Sequence, residues 1–451
     1  MNTIIVSLLL ILSGTALSLS APVKAEVITT CPSGMIYQDQ VCYQPCPEGF
    51  FDNGPTCRGA CPKGYSWDSL ACSGGFLGLD TKVPALQTRK TALPSTCSSS
   101  NIRKPITPGD NSSPFTLIFS SDPQYPWWRG AHDSACSSEE CVKEKSAGLI
   151  ADQIQSMNNM VNIRFSERNE TITGTWPDTS NIPASRRDQP IPDPQGVVVN
   201  GDLTAFWHSW QVEKYMSFYH RNDADPLNPH NLKLDFYPGL GNHDYANNKN
   251  DCWWQRNAEY LPYKANGCAR NAAHYIKKLV SCDLAPNFPD QSITGFNESS
   301  LAYSWDIGNY HFVQLHNYPG YTYSDVNVSD SYEWLRSDLE IAHNAGQRIV
   351  LNMHDSGADL YSLAFRAAIS ERNVVAIFSG HLHEQNGFVG SVNNGSQSIP
   401  IFRSGASEYS TLLLAEFGAN HLTVAVVETF DGIPVFRNPD NSYKTRTLLF
   451  E

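Results

Sequence analysis

Leu232-Lys-Leu-Asp-Phe-Tyr-Pro-Gly-Leu-Gly-Asn242-His243-Asp244 is the stretch on which the fold turns. Leu234 to Tyr237 has the composition of a short strand, and it runs through Gly239 and Gly241 into an amide, an imidazole and a carboxylate. The same layout, an apolar run ending in metal-binding side chains, recurs around Asp122-Pro-Gln124, Gly201-Asp202, His354-Asp355 and Gly380-His381-Leu382-His383. Loops that follow strand ends are where α/β folds place ligand sites. Carboxylate, amide oxygen and imidazole together suit first-row divalent ions such as Zn, Mn or Fe better than calcium. Glycines beside Asp202, Asn242 and His381 permit tight turns that would bring several loops to one point. Each motif alone has an ordinary reading, such as a helix cap for an Asp after a strand or a structural role for His354. The ordered set is what points to a shared metal centre.

Around these loops, strand and helix patterns alternate. Apolar runs predict strands at 115–120, 197–199, 302–305, 311–315, 348–352 and 374–378. Helical spacing covers 139–163, with Val142, Leu149, Ile150, Ile154, Met157 and Val161 on one side, and further helices are predicted over 204–219 and 332–344. The stretch from Tyr245 to Ser300 is polar and reads as an insertion, while Ile401 to Phe436 alternates like antiparallel strands. Strand, helix and strand repeated in this way predict an α/β sandwich, placed at residues 114–451.

The segment before it differs in kind. Residues 1–25 read as a secretory signal peptide, with an apolar stretch from Ile4 to Leu12 and a small-residue cleavage site at Val23-Lys24-Ala25. Residues 26–75 hold three consecutive 15-residue units that begin Cys31-Pro-Ser-Gly, Cys46-Pro-Glu-Gly and Cys61-Pro-Lys-Gly, with second cysteines at Cys42, Cys57 and Cys72. So dense an array in an exported chain predicts a disulfide scaffold whose pairing the spacing leaves open. Residues 76–113, rich in Ser and Pro, read as a linker. Cys97, Cys136, Cys141, Cys252, Cys268 and Cys282 are expected in disulfides as well. The expected location is therefore secreted or periplasmic. Lys and Arg number 32 against 45 Asp and Glu, a net charge of −13, which argues against a nucleic-acid scaffold. Nothing after the signal segment approaches the roughly 18 apolar residues of a membrane span. Asn111, Asn169, Asn297, Asn327 and Asn394 begin N-x-Ser/Thr sequons, glycosylation sites if the export route is eukaryotic.

The order and content of the five motifs resemble the metallophosphoesterase, or calcineurin-like phosphoesterase, superfamily over roughly residues 114–430, most specifically through Gly-Asn242-His243-Asp244 and Gly-His381-Leu-His383. That resemblance implies a four-layer α-β-β-α sandwich with a dinuclear metal centre on top and hydrolysis by a hydroxide bridging the ions. It implies that Asp202 bridges both ions, that Asp122 and His383 hold one, and that Asn242, His354 and His381 hold the other. His243 resembles the family's general acid or phosphate-orienting histidine, with Asp244 as the partner that orients its ring. The implied activity is phosphomonoester or phosphodiester hydrolysis, on a small-molecule, lipid or nucleotide substrate, with two divalent ions (Zn, Mn or Fe).

One motif departs from the family. Its first element is usually Asp-x-His, and here it is Asp122-Pro-Gln124. An amide oxygen is a harder and weaker ligand than imidazole. Gln124 binds through its oxygen, contacts through water, or gives way to His132 or His316; each option predicts a weaker first site with altered metal preference. Beside that motif, Tyr125, Trp127, Trp128 and Arg129 form a candidate substrate wall able to stack a ring or clamp a phosphate, with core packing as the equal alternative. His316, at a strand end, is expected to line the pocket. Trp253, Trp254, Arg256 and Arg270 fit disulfide-bound loop packing better than a lid. A reading from another class keeps the fold without turnover: a binding protein impaired at Gln124 that uses the cysteine-rich module to attach to a surface ligand. The intact set Asp202, Asn242, His243, Asp244, His354, His381 and His383 argues against it.

Overall fold

The computed structural model describes residues 113–129, 136, 138–161, 174–176, 182–248, 267–282, 284–394, 397–436 and 445–450, with short strands between 36 and 89. The expected signal segment, the sulfur pairings of Cys31 to Cys72, and Trp253, Trp254 and Arg256 lie outside the described residues. In the amino-terminal part, β1 (Ile36–Gln38) pairs with β2 (Val41–Tyr43), β3 (Phe50–Asn53) with β4 (Thr56–Gly59), and β5 (Ser66–Asp68) with β6 (Ala71–Phe76). Ile36 faces Tyr43, Phe51 faces Arg58 and Ser66 faces Ser73, so each cysteine-bearing unit repeats one antiparallel hairpin. Strand pairing continues beyond residue 75 into the expected linker: β7 (Leu79–Pro84) lies on β6, and β8 (Gln87–Arg89) lies on β4. Leu79-Asp-Thr-Lys-Val sets Leu79, the β-branched Thr81 and Val83 two residues apart with charged residues between, a strand spacing inside a Ser/Pro-rich composition.

Two seven-stranded sheets form the centre of the protein. The first runs β11 (Phe236–Pro238), β10 (Pro194–Val199), β9 (Phe115–Ser120), β19 (Thr411–Phe417), β20 (His421–Phe430) and β21 (Ile433–Phe436), with β22 (Thr445–Leu449) also on β20. The second runs β12 (Ile293–Phe296), β13 (Tyr303–Ile307), β14 (Tyr310–Gln314), β15 (Arg348–Asn352), β16 (Val374–Ser379), β18 (Gln397–Ser404) and β17 (Asn386–Asn394). β9, β10 and β11 are parallel, as are β14, β15, β16 and β18; the remaining pairings are antiparallel. The described helices are α1 (Glu139–Asn159), α2 (Ser209–Tyr219), α3 (Asn242–Tyr245), α4 (Gly267–Cys282), α5 (Tyr332–Asn344) and α6 (Leu363–Ile369). None is long and apolar enough to cross a membrane.

β9 is buried along its whole length because both its faces are covered. On the inner face Phe119 stacks on Phe378 of β16, ring centroids 3.7 Å apart and 8° from parallel, and Phe115 packs among Phe312, Tyr310 and Phe417. On the outer face the Ser120 hydroxyl donates to Gln153 of α1, whose amide donates on to Thr411 O. α1 starts at Ser138, which accepts from Cys141 N, and it buries Ile150, Ile154 and Met157. Cys141 is disulfide-bonded to Cys136, stapling the segment just before the helix, and Cys268 is disulfide-bonded too. α5 and α6 cover the second sheet, bringing Leu335, Leu339, Phe365 and Ile369 against Ile349, Leu351 and Ile377. The layers are thus helix, sheet, sheet, helix, as expected.

The expected insertion is partly scaffold. Ala269, Ala272, Ala273, Ile276, Leu279 and Val280 form a buried stripe on α4, and β12 forms the edge of the second sheet. α2 begins five residues later than predicted. The Gln211 side chain accepts from Phe206 N and His208 N, holding 204–208 as a turn before the first helical residue.

One buried ion cluster ties α5 to its sheet. His311 of β14 is 1% exposed, with Nδ1 2.7 Å from Asp306 Oδ1 and Nε2 2.9 Å from Asp338 Oδ2 of α5. Burial opposes charge on this ring, but Asp338 and Asp306 outweigh it and push its pKa to about 10. A folded pKa above the unfolded value of about 6.5 stabilises fully below pH 6.5 and loses that contribution as pH rises through about 10. His311→Gln leaves the buried Asp338 and the half-buried Asp306 without a cation and should cost about 3–5 kcal/mol at pH 6.5. Urea unfolding of the two proteins at pH 6.5 and pH 10 should show the gap narrowing at the higher pH.

Candidate metal centre

The five loops singled out in the sequence follow the carboxyl ends of β9, β10, β11, β15 and β16, three strands from one sheet and two from the other. Their bends are unusual for side-chain-bearing residues. Asp122 (φ 52°), Gln124 (φ 41°), Asp202 (φ 51°) and His381 (φ 72°) all adopt the left-handed conformation. Each such residue costs on the order of 1 kcal/mol and persists only where its surroundings enforce it. Here the enforcement is hydrogen bonding between loops: Asp122 N donates to Gly201 O, Gln124 N to Asp202 O and Gly380 N to His354 O. Two glycines allow the approach. A Cβ on Gly241 would stand 2.2 Å from Asp202 Oδ1, and one on Gly380 would stand 2.6 Å from Asp122 Oδ2.

The side chains converge. Asp202, His354 and His381 form one group of donor atoms close enough to share a cation, and Asp122, Asp202 and His383 form another; Asp202 belongs to both. His354 Nε2 lies 3.2 Å from Asp202 Oδ2, 2.9 Å from Asn242 Oδ1 and 3.3 Å from His381 Nδ1. Asn242 thereby joins the first group. In the second, His383 Nε2 lies 3.2 Å from Asp122 Oδ1. The outer nitrogens are tied from behind: His354 Nδ1 donates to Asn200 O at 2.8 Å, and His383 Nδ1 contacts Glu408. Such outer contacts fix the tautomer and aim the other nitrogen inward.

Unspent bonding capacity at this point fits a cation. Asp122 Oδ1 is buried and no donor meets it in hydrogen-bond geometry; both amide atoms of Gln124 are likewise buried without a partner. Buried polar atoms are nearly always satisfied, so the two Gln124 atoms call for an explanation, while Asp122 Oδ1 has only the ion-pair contact with His383 Nε2. The charges agree. Burial opposes protonation of His354, yet Asp202 and Asp122 raise its pKa to about 9. Burial also opposes it on His383, which Asp122 and Glu408 raise to about 10. Burial would raise Asp122, but His354 and His383 hold it below its ordinary value. Burial and the neighbouring His354 depress His381. Protons on His354 and His383 thus balance the carboxylates, and a divalent cation would replace them, since metals bind deprotonated ligands.

His243 is half-buried beside the donors, its backbone N donating to Asp202 Oδ1 at 2.8 Å. The expected pairing of its ring with Asp244 is not present. His243 Nδ1 lies 3.0 Å from Ala205 O, a carbonyl that can only accept, so Nδ1 carries the proton. Asp244 instead accepts from Leu203 N and Gly241 N on one oxygen and from Thr204 N on the other. Burial and Asp202 raise its pKa to about 8, against those three N–H groups. Asp244 therefore locks the Asp202 loop to the Asn242 loop. Consecutive helical residues do not face the same way, which is why adjacency in α3 misled.

His316 is fully buried and does not line the pocket. Its Nδ1 accepts from Leu240 N at 3.0 Å and its Nε2 donates to Leu301 O at 2.7 Å, and burial lowers its pKa to about 4. A left-handed backbone (φ 59°) turns the ring back into the scaffold. Both nitrogens are used, so His316 does not stand in for Gln124; His132 lies outside the described residues. Tyr125 belongs to the core, held under the Asp202 loop by Ala205 N donating to Tyr125 O. Trp128 is half-buried, and the Arg129 guanidinium lies over Tyr409. Of these residues the one whose ring meets the site is Trp127, 5.3 Å from His243 and 6.4 Å from His383. Glu408 is not among the residues the sequence points to: it follows β18 by four residues, and no spacing ties it to His383.

No family model and no curated protein matches this sequence. Among solved structures, a dimetal phosphatase from Danio rerio is 11% identical, with TM-score 0.38, covering 74% of this chain and 98% of that one. PhoD is 12% identical, with TM-score 0.38, covering 78% and 74%. A conserved uncharacterized protein, a predicted phosphoesterase, from Streptococcus pneumoniae TIGR4 is 10% identical, with TM-score 0.28, covering 75% and 98%. Likenesses this distant carry no weight on activity, and the chemistry rests on the geometry above.

Shared and unshared donors should behave differently. Asp202→Asn should weaken metal uptake at both donor groups, whereas Asn242→Ala should weaken it only at the group of His354 and His381. Metal content by mass spectrometry after dialysis checks this; equal losses in the two variants would contradict a shared aspartate.

Proposed function

We propose that this chain is a metal-dependent phosphoesterase that holds two divalent ions of the Zn, Mn or Fe class and hydrolyses phosphomonoester or phosphodiester bonds. The observation that carries the reading is Asp202 standing in both donor groups, with Asn242, His354 and His381 on one side and Asp122 and His383 on the other. Cations held there would supply the positive charge a phosphoryl group needs and a hydrolytic nucleophile at neutral pH. The rest of the work falls to the protein. His243, its Nδ1 committed to Ala205 O, presents Nε2 to protonate the departing alcohol. Asp244 keeps His243 and Asp202 in one geometry by clamping the loops that bear them. Trp127 and Phe206, both against His243, shelter the proton transfer from water. An exported location is part of the proposal. Its supports are the signal-like amino terminus and the Cys136–Cys141 disulfide, a bond that persists in oxidising compartments.

Purified protein assayed on chromogenic mono- and diesters with added Mn, Zn or Fe should show metal-stimulated turnover, and Asp202→Asn should abolish it. His243→Asn should lower kcat/KM by about 10²–10⁴-fold for alkyl esters and by far less for nitrophenyl esters, whose leaving group needs no proton. Absence of metal-stimulated turnover on both substrates would remove the hydrolase reading.

A further inference from the structure

His243 does not stand in open solvent. The Trp127 ring lies 5.3 Å from it at an interplanar angle of 67°, and the Phe206 ring lies 5.6 Å from it at 58°. Trp127 is 37% exposed and Phe206 half-buried, so both keep accessible surface beside the imidazole. The aromatic surface continues outward, with His208 6.3 Å from Phe206 and Trp210 6.5 Å from His208.

Both rings are set on pinned backbone. Trp127 N donates to Ser146 Oγ of α1. Phe206 N donates to Gln211 Oε1 and Phe206 O accepts from the Asn248 amide. The next residue, Trp207, takes a left-handed turn (φ 58°) and is buried in the core, which leaves Phe206 at the surface. Aromatic side chains held this way recognise a flat π-face at little entropic cost.

We infer that the alcohol released at this site carries a planar aromatic ring that rests against Trp127 and Phe206. The inference rests on the phosphoesterase reading. In that hydrolysis the water oxygen bonds to phosphorus, the bond from phosphorus to the ester oxygen breaks with its electron pair on that oxygen, and the imidazolium form of His243, protonated at Nε2 as well as Nδ1, gives its Nε2 proton to that oxygen, while the proton that the water gives up restores the ring. An ester oxygen within hydrogen-bond reach of Nε2 brings its substituent within reach of the two rings, whose centroids lie 5.3 and 5.6 Å from that imidazole. A nucleoside and a simple arylmethyl alcohol present the same face, and paired substrates separate them.

Adenosine 5′-monophosphate and ribose 5-phosphate share the scissile bond and differ by the base; benzyl and cyclohexylmethyl phosphates differ by planarity. The expected result is a preference of about tenfold or more in kcat/KM for the aromatic member of at least one pair. Trp127→Leu should bring that ratio close to one, and Trp127→Phe should restore part of it. Preference within both pairs, or within the adenosine pair alone, assigns a nucleoside; preference within the benzyl pair alone assigns an aryl alcohol. A readout without turnover is calorimetric binding to the metal-free protein: the preferred alcohol, adenosine or benzyl alcohol, should bind, ribose or cyclohexylmethanol should not, and Trp127→Leu should lose the difference. Equal turnover within both pairs, or equal binding of ring-bearing and ring-free alcohols, overturns the inference and leaves the hydrolase reading standing. Selective binding without turnover of any ester does the reverse.

Discussion

The stack of Phe119 on Phe378 sets the register of everything above it. The two rings, nearly parallel and 3.7 Å apart, belong to different sheets. Three residues beyond Phe119 comes Asp122, and three beyond Phe378 comes His381; the backbone N of His381 donates to Asp122 Oδ2 at 3.0 Å. A close-packed interior transmits position with little slack, so an inter-sheet contact in the core fixes where two ligand loops meet at the surface. Asp202 enters the same point from β10, which runs parallel to β9 in a register that pairs Val199 with Ser120. Three loops from three strands are thus aligned by packing before any of their side chains interact.

Above that scaffold, the loops hold one another. The left-handed residues at Asp122, Gln124, Asp202 and His381 store strain, and inter-loop hydrogen bonds hold it in place. Asp244 adds a further tie, since one buried carboxyl group gathers backbone N–H groups from Leu203, Thr204 and Gly241. His316 does the same with a neutral ring, joining Leu240 to Leu301. Two residues expected to act on substrate or on a catalytic ring are instead parts of the frame that aims it.

What was legible in the sequence was local. An apolar strand running into Gly-Asn242-His243-Asp244 is a pattern of neighbouring residues, and so are β9, α5 and β15, whose limits coincide with the predicted ones. What was not legible depends on direction and distance. His243 and Asp244 are adjacent in the chain but point apart on α3, and His316 is turned inward by a single backbone angle. Glu408 reaches His383 across 25 residues, with no spacing rule to announce it. Of the tryptophans after the first motif, Trp127 meets His243, and only packing distinguishes it from Trp128. The buried stripe of α4 has helical period, yet its alanines carry too little hydrophobicity to stand out in a polar segment.

These features imply an order of dependence between fold and metal. In small zinc-bound modules the unfolded chain has no preformed site, and binding energy becomes folding energy. Here the donors sit on loops anchored to two buried sheets, and their tautomers are set by protein partners such as Asn200 O and Glu408. The chain can therefore reach its fold before a cation arrives, with protons on His354 and His383 standing in for it. A bound ion adds stability by mass action, in proportion to its concentration over its dissociation constant, and does not choose the fold. Gln124 belongs to the same frame: its backbone N donates to Asp202 O whatever its buried, unpartnered amide group meets, so a change confined to that side chain leaves the loop in place.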